Sequence, residues 1–167
     1  MVLKWRVFDM TSRIQYFRLA LFLWIIFLNF VLQIFHIEFA WAVFMSNIML
    51  FTMSGDMKNN LVSIEVGGFV GIIFAFLSIL AISTLTPAIG HIPAVMLALA
   101  IVLYLIIVLG PKCHVALNNS SFAHFTCAFI NAELFATHIN EVVVIYMIGS
   151  LTVNCLSIWM LNYFTKE

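Results

Sequence analysis

Apolar stretches of membrane-crossing length follow one another along almost the whole chain, and they leave few folds open to it. A transmembrane helix needs roughly 20 mostly apolar residues, with about 17 to 25 the usual range. Six stretches fit between clusters of charge, proline or polar residues: Leu19 to Phe35, Phe39 to Ser54, Leu61 to Ile82, Pro93 to Gly110, Phe122 to His138 and Val142 to Phe164. The second and fifth are short. Composition agrees with this reading, since 65% of the 167 residues are hydrophobic and only 8% are charged. A soluble domain carries about 25% charged residues, so this surface has to face lipid. The expected fold is an all-α polytopic membrane protein of six transmembrane helices. Residues 1–18 form a basic amphipathic N-terminal segment and residues 19–167 the six-span domain.

The same composition excludes other classes. Seven Lys and Arg balance seven Asp and Glu, which argues against a nucleic-acid partner. Charge is too scarce for a disordered chain, heptads are absent, and three Cys do not make a disulfide scaffold.

Lys and Arg collect on the cytoplasmic side of a membrane, which gives a test independent of hydropathy. If Lys4, Arg6, Arg13 and Arg18 are cytoplasmic, six spans place Lys58, Lys112 and Lys166 on the same side and leave no Lys or Arg in an outer loop. Five or seven spans would move part of this set outside. Both termini are therefore expected in the cytoplasm. Residues 1–18 are basic and precede an apolar run, yet no small-residue cleavage site follows Phe35, so a targeting peptide is not expected. An interfacial helix on the inner headgroups and a frayed tail both fit this segment. Asn118 and Asn119 each begin an Asn-x-Ser sequon, but on the cytoplasmic side neither would be glycosylated.

Short runs in the first half of the chain have counterparts in the second, as an internal repeat would give. Phe39-Ala40-Trp41 parallels Phe122-Ala123-His124, and Ser46 to Phe51 parallels Ile130 to Phe135. Spans three and six each carry early glycine (Gly67, Gly68; Gly149) and a Leu-Ser-Ile run, Leu77 to Ile79 and Leu156 to Ile158. Chance similarity between apolar helices is the competing explanation. A true three-span repeat would be inverted, with a pseudo-twofold axis in the membrane plane.

Polar groups inside the spans carry whatever chemistry there is. Glu133 stands first, because a carboxylate within a span costs several kcal/mol, on the order of 2.5–3.5, unless protonated, paired or wetted. Glu65, near the start of span three, is expected to be satisfied by headgroups or Lys58. At 100° per residue His124, Cys127, Asn131 and His138 share one side of span five, and Thr126, Glu133 and Thr137 the other. Asn29, Gln33 and His36 form a strip on span one, and Tyr146, Ser150, Asn154 and Ser157 one on span six. Each strip reads either as the lining of a polar path or as hydrogen-bonding glue between helices. Ser63, Gly67, Gly71 and Ala75 recur every four residues and make a close-packing face, with Gly67 and Gly71 a GxxxG pair. Span four is almost wholly apolar apart from Tyr104, and is expected to face lipid or pack passively.

Cys113 with His114 and His124 with Cys127 lack metal-site spacing, and no phosphate loop or nucleophile elbow is present. No metal, cofactor or enzymatic activity is expected.

Phe39-Ala40-Trp41 through Phe51-Thr52-Met53-Ser54-Gly55, then Lys58, Gly67-Gly68 and Gly71, resembles a small family of bacterial inner-membrane proteins that includes the YcdZ-like proteins. The run Phe122 to Phe135 is similar to that family's later aromatic and small-residue segment. The chain departs from the family pattern at Ser46-Asn47 and from His124 to His138. The resemblance implies a compact polytopic protein of the bacterial inner membrane and supplies no site residues.

The leading expectation is a channel or transporter-like protein for a small neutral solute or weak acid, proton-linked or passive, and homo-oligomeric. Glu133, Asn131, His124, His138, Asn29, Gln33 and Asn154 would line its path, with Gly67 and Gly71 packing helices. The competing expectation is a non-transporting membrane subunit that binds another membrane protein.

Overall fold

The structure is a computed structural model and describes residues 2–165, with the side chains of residues 13–164. Its elements are helical: α1 (Val2–Ile34), α2 (Ala40–Thr52), α3 (Met57–Ile89), α4 (His91–Leu109), α5 (Asn119–Ile130), α6 (Ala132–Thr137), α7 (Ile139–Ile145), a π-helical turn (Tyr146–Ser150) and α8 (Leu151–Thr165). Among the described residues, four helical stretches are long and apolar enough to cross a bilayer: Arg13–Ile34, Met57–Ile89, His91–Leu109 and Ile139–Phe164. The chain is thus a helical membrane protein.

The other two expected spans take a different form. α2 has 13 residues and α5 has 12. At about 1.5 Å per residue they reach about 20 and 18 Å, short of a hydrocarbon core about 30 Å thick. The segment expected to run unbroken from Phe122 to His138 is interrupted at Asn131 (φ −109°, ψ 42°) and again at His138 (φ −121°, ψ 26°). No proline or glycine marks either break. At the N-terminus, the expected interfacial segment is continuous with the first span, because α1 has no backbone interruption at residue 18. The side chains of residues 1–12, on which its amphipathic character depends, lie outside the described residues.

α3 is the axis of the bundle. It contacts α2, α4, α5 and α8, whereas α1 contacts chiefly α8. Glycine on α3 permits the closest of these approaches. A Cβ on Gly67 would overlap the Asn118 side chain, and one on Gly71 would overlap the Ser121 carbonyl. The expected close-packing face is therefore used within the chain, against the start of α5. Asn118 secures that start: its Oδ1 accepts from the Ser120 and Ser121 amides, while its Nδ2 donates to the Ser63 carbonyl of α3 at 2.8 Å. Gly90, at φ +85°, is the single residue between α3 and α4, a backbone conformation that suits glycine. α4 then buries Ala94, Ala98, Val102 and Ile106 at four-residue spacing and leaves Ile92, Met96, Ile101, Tyr104 and Ile107 exposed, the pattern of a lipid-facing helix.

The contacts also fix direction. Gly67 and Gly71 meet Asn118 and Ser121 in the same order, so α3 and α5 run parallel. Val43 meets Gly149 and Asn47 meets Asn154 and Ser157, so α2 runs parallel to the π turn and α8. Tyr146 bonds Glu65 and lies beside Gly68, whereas Ile158 clusters with Ile64, so α8 runs antiparallel to α3.

Candidate functional site

Where α2, α3, the π turn and α8 meet, the bundle interior is polar. Glu65 of α3 is its centre. It lies eight residues after Met57, about 12 Å along the helix. Its Oε1 accepts from the Asn154 amide at 2.7 Å and the Ser46 hydroxyl at 3.3 Å, and its Oε2 lies 2.5 Å from Ser150 Oγ. These partners are two hydroxyls and an amide, none of them cationic. The network continues through Asn154 Nδ2, which donates to Ser46 Oγ at 2.8 Å. Asn47 Nδ2 donates to Asn154 Oδ1 and Ser157 Oγ, both at 3.0 Å. Ser46, Asn47, Ser150, Asn154 and Ser157 are all buried. A buried polar network of this kind is costly when partly satisfied and rigid when complete.

A second layer adjoins the first. The Tyr146 hydroxyl donates to the backbone carbonyl of Glu65 at 2.8 Å, and its ring meets the edge of His124 at 5.0 Å. Ser120 donates to the Ile64 carbonyl at 2.8 Å. Gly68 makes room for both rings: a Cβ there would overlap the Tyr146 hydroxyl and come within 2.9 Å of His124 Cε1. His124 is fully buried, with Nδ1 2.8 Å from the Ser120 carbonyl and Nε2 3.1 Å from the Ala42 carbonyl. Both nitrogens therefore face backbone carbonyls, and Nδ1 also lies 3.4 Å from the Ser120 hydroxyl.

The sequence-derived residues divide sharply. His124 and Asn154 lie in the polar interior, and the strip Tyr146, Ser150, Asn154, Ser157 is buried along its whole length. Glu133, Asn131, Asn29 and Gln33 are exposed, and His138 is half-buried. Glu133 sits in the first turn of α6, away from the network. Asn29 accepts from Gln33 Nε2 at 2.7 Å on the outside of α1. His138 Nδ1 lies 2.8 Å from Thr137 Oγ1, beside Phe39. Gly67 and Gly71 are buried against α5 as described. Glu65 is the residue that the sequence reading set aside. In place of the expected Lys58, its protein partners are Ser46, Ser150 and Asn154. One clue was available: Ser46-Asn47 and the span-six strip are polar faces on helices that must bury them.

Among the described residues no three of His, Cys, Asp and Glu come together to hold a metal ion. The arrangement can bind a proton or hydrogen-bond a small polar solute. No protein-family model, curated protein or solved structure matches the chain.

Proposed function

We propose that the chain is a permeation protein of the bacterial inner membrane that passes a small neutral solute or weak acid, with the Glu65 network as the solute- or proton-contacting centre. The observation that carries this reading is a part-buried carboxyl group on the α3 span, held by Ser46, Ser150 and Asn154, with no cation bonded to it among the described residues. Intramembrane acids are costly, and they mark ion and solute pathways by default. The π turn adds weight, because such turns cluster at functional sites.

Six passes with both ends cytoplasmic remain the best account of the connectivity. The relative directions of α2, α3, α5 and α8 alternate as six passes require, with α2 and α5 completed by irregular segments. Two inverted halves have support of the same kind. α3 packs on α4 and α5, and α8 packs on α1 and α2, so each half's last helix lies against the other half's first two. Gly149 receives Val43 of α2 much as Gly67 and Gly71 receive α5. Trp41 and His124, equivalent in the repeat, meet at 6.4 Å.

One feature favours the subunit reading. Only 6% of the α1 span is buried within the chain, and its outer side shows Phe22, Ile26 and Phe30 beside the exposed Asn29–Gln33 pair, a surface suited to another copy or another membrane protein.

Stopped-flow light scattering on proteoliposomes, challenged with water, urea, glycerol, formate and acetate, tests the proposal. Flux above empty liposomes that falls in Glu65→Gln is the expected result. Folded, inserted protein that accelerates none of these would turn attention to the α1 surface.

A further inference from the structure

Amide side chains stand on the outside of the first span. Asn29 and Gln33 are exposed on α1, and Asn29 lies 16 residues after Arg13 and five before Ile34, the limits of that span. At about 1.5 Å per residue it is roughly 24 and 8 Å from the two ends, inside the hydrocarbon core. The bond from Gln33 Nε2 to Asn29 Oδ1 uses one hydrogen and one lone pair. It leaves both hydrogens of Asn29 Nδ2 and the Gln33 carbonyl oxygen over, because an amide carries two donor hydrogens and an oxygen with two lone pairs. Hydrocarbon offers these groups no partner, and an unbonded amide there is strongly unfavourable.

Other exposed polar side chains on the long helices avoid this problem. Ser83, Thr84 and Thr152 turn their hydroxyls back to the carbonyls of Leu80, Ala81 and Ile148 on the same helix. α4, the other span with a broad exposed face, has no Asn or Gln. α1 is also the span least covered by its own chain, 6% buried against 22 to 39% for the other three.

The amides belong to a strip. Leu19, Phe22, Ile26, Asn29 and Gln33 are all exposed and follow one another at steps of three and four residues. At 100° per residue they fall within about 80° of the helix circumference. Leu23, Phe27 and Ile34 lie beyond that arc, exposed and wholly apolar, as a lipid-facing surface should be. Steps of three and four are the spacing at which two helices lie side by side at a crossing angle of about 20°. We propose that α1 is a dimer interface: the strip from Leu19 to Gln33 packs on the same strip of a second copy, with the two Asn29 amides paired across the axis.

A second copy fits the strip for two reasons. Copies of one chain insert with the same orientation, so a twofold axis along the membrane normal sets each residue against its counterpart at the same depth. An amide is both donor and acceptor, so what one Asn29 requires another Asn29 supplies. Each Nδ2 donates to the Oδ1 of the other copy, whose second lone pair the Gln33 bond leaves open. The proposal concerns assembly and does not rest on the permeation reading.

Oxidative cross-linking of the whole protein in membranes, with Cys113, Cys127 and Cys155 replaced by Ser, maps the interface. Phe22→Cys and Ile26→Cys are expected to give a disulfide-linked dimer with copper phenanthroline, and Phe27→Cys and Ile34→Cys are not. Energy transfer between donor-tagged and acceptor-tagged copies, followed as lipid dilutes them, measures the association without any cysteine replacement. Asn29→Leu should weaken it roughly tenfold, as loss of an interhelical amide contact would, and Asn29→Gln should restore most of it. Cross-linking at Phe27 equal to that at Ile26, or association unchanged in Asn29→Leu, overturns the proposal. So does a strip cysteine that links in native membranes only to a protein of different mass, the result expected if another membrane protein covers α1. Protein that is monomeric at every lipid ratio yet passes solute removes the dimer and leaves the permeation reading standing.

Discussion

Glu65 and Glu133 are both acids within long apolar stretches, and the bundle treats them in opposite ways. Around Glu65 three elements supply hydrogen-bond partners from residues 19, 85 and 89 positions away. Around Glu133 the chain has left regular helix at Asn131, and the side chain is exposed on a six-residue helix. Position within a hydropathy window therefore says little about an acid's role. What distinguishes the two is whether polar faces of other helices converge on them.

The largest expected contrast between the two regions comes from volume. Gly68→Leu would drive a side chain into the space of Tyr146 and His124, and no monodisperse folded protein is expected in detergent. Ala132→Leu, beside Glu133, should leave size-exclusion behaviour unchanged. Equal tolerance at both positions would break the contrast. Next is function: Glu65→Gln should lower proteoliposome flux by roughly tenfold, equivalent to about 1.4 kcal/mol in the barrier. Glu133→Gln should stay within about twofold, as an exposed group outside the network would. A larger effect at Glu133 would move the site to α6.

Stability gives a third comparison. Asn154→Ala removes one hydrogen-bond partner from each of Asn47, Ser46 and Glu65, and each lost intramolecular hydrogen bond is worth about 0.5–1.5 kcal/mol net. A clear fall in thermal midpoint is expected. The smallest effect belongs to Asn29→Leu. This substitution removes one exposed hydrogen bond, and a shift within about 0.5 kcal/mol is expected in the isolated protein. A larger loss, or a change in oligomer size, would mean that the outside of α1 is covered by another chain.

Much of this architecture is legible in the residues. Apolar length marks α1, α3 and α4, and the Gly67–Gly71 spacing marks the face that receives α5. The four-residue steps from Tyr146 to Ser157 mark a buried strip. Other features are invisible because they depend on neighbours distant in sequence. Glu65 reads as a headgroup-level acid until Ser46, Ser150 and Asn154 are brought to it. The breaks at Asn131 and His138 occur without glycine or proline, so no local signal announces them. The contacts that place the start of α5 and the turn after α2 are of the same kind: Asn118 with the Ser63 carbonyl, and Asn60 with the Ser54 carbonyl.

The π turn has a further meaning in the arithmetic of the chain. A π-helical turn amounts to one residue inserted into an α-helix, and here Met147 and Ile148 point outward, 55% and 67% exposed. Deleting either would remove little packing but would rotate α7 by about 100° relative to α8, since that is the angle one α-helical residue subtends. Val142 and Tyr146 would swing away from the bundle while Asn154 and Ser157 stayed in place. The phase between the two ends of the last span is thus set by a single residue, and losing it would take Val142 and Tyr146 out of the core.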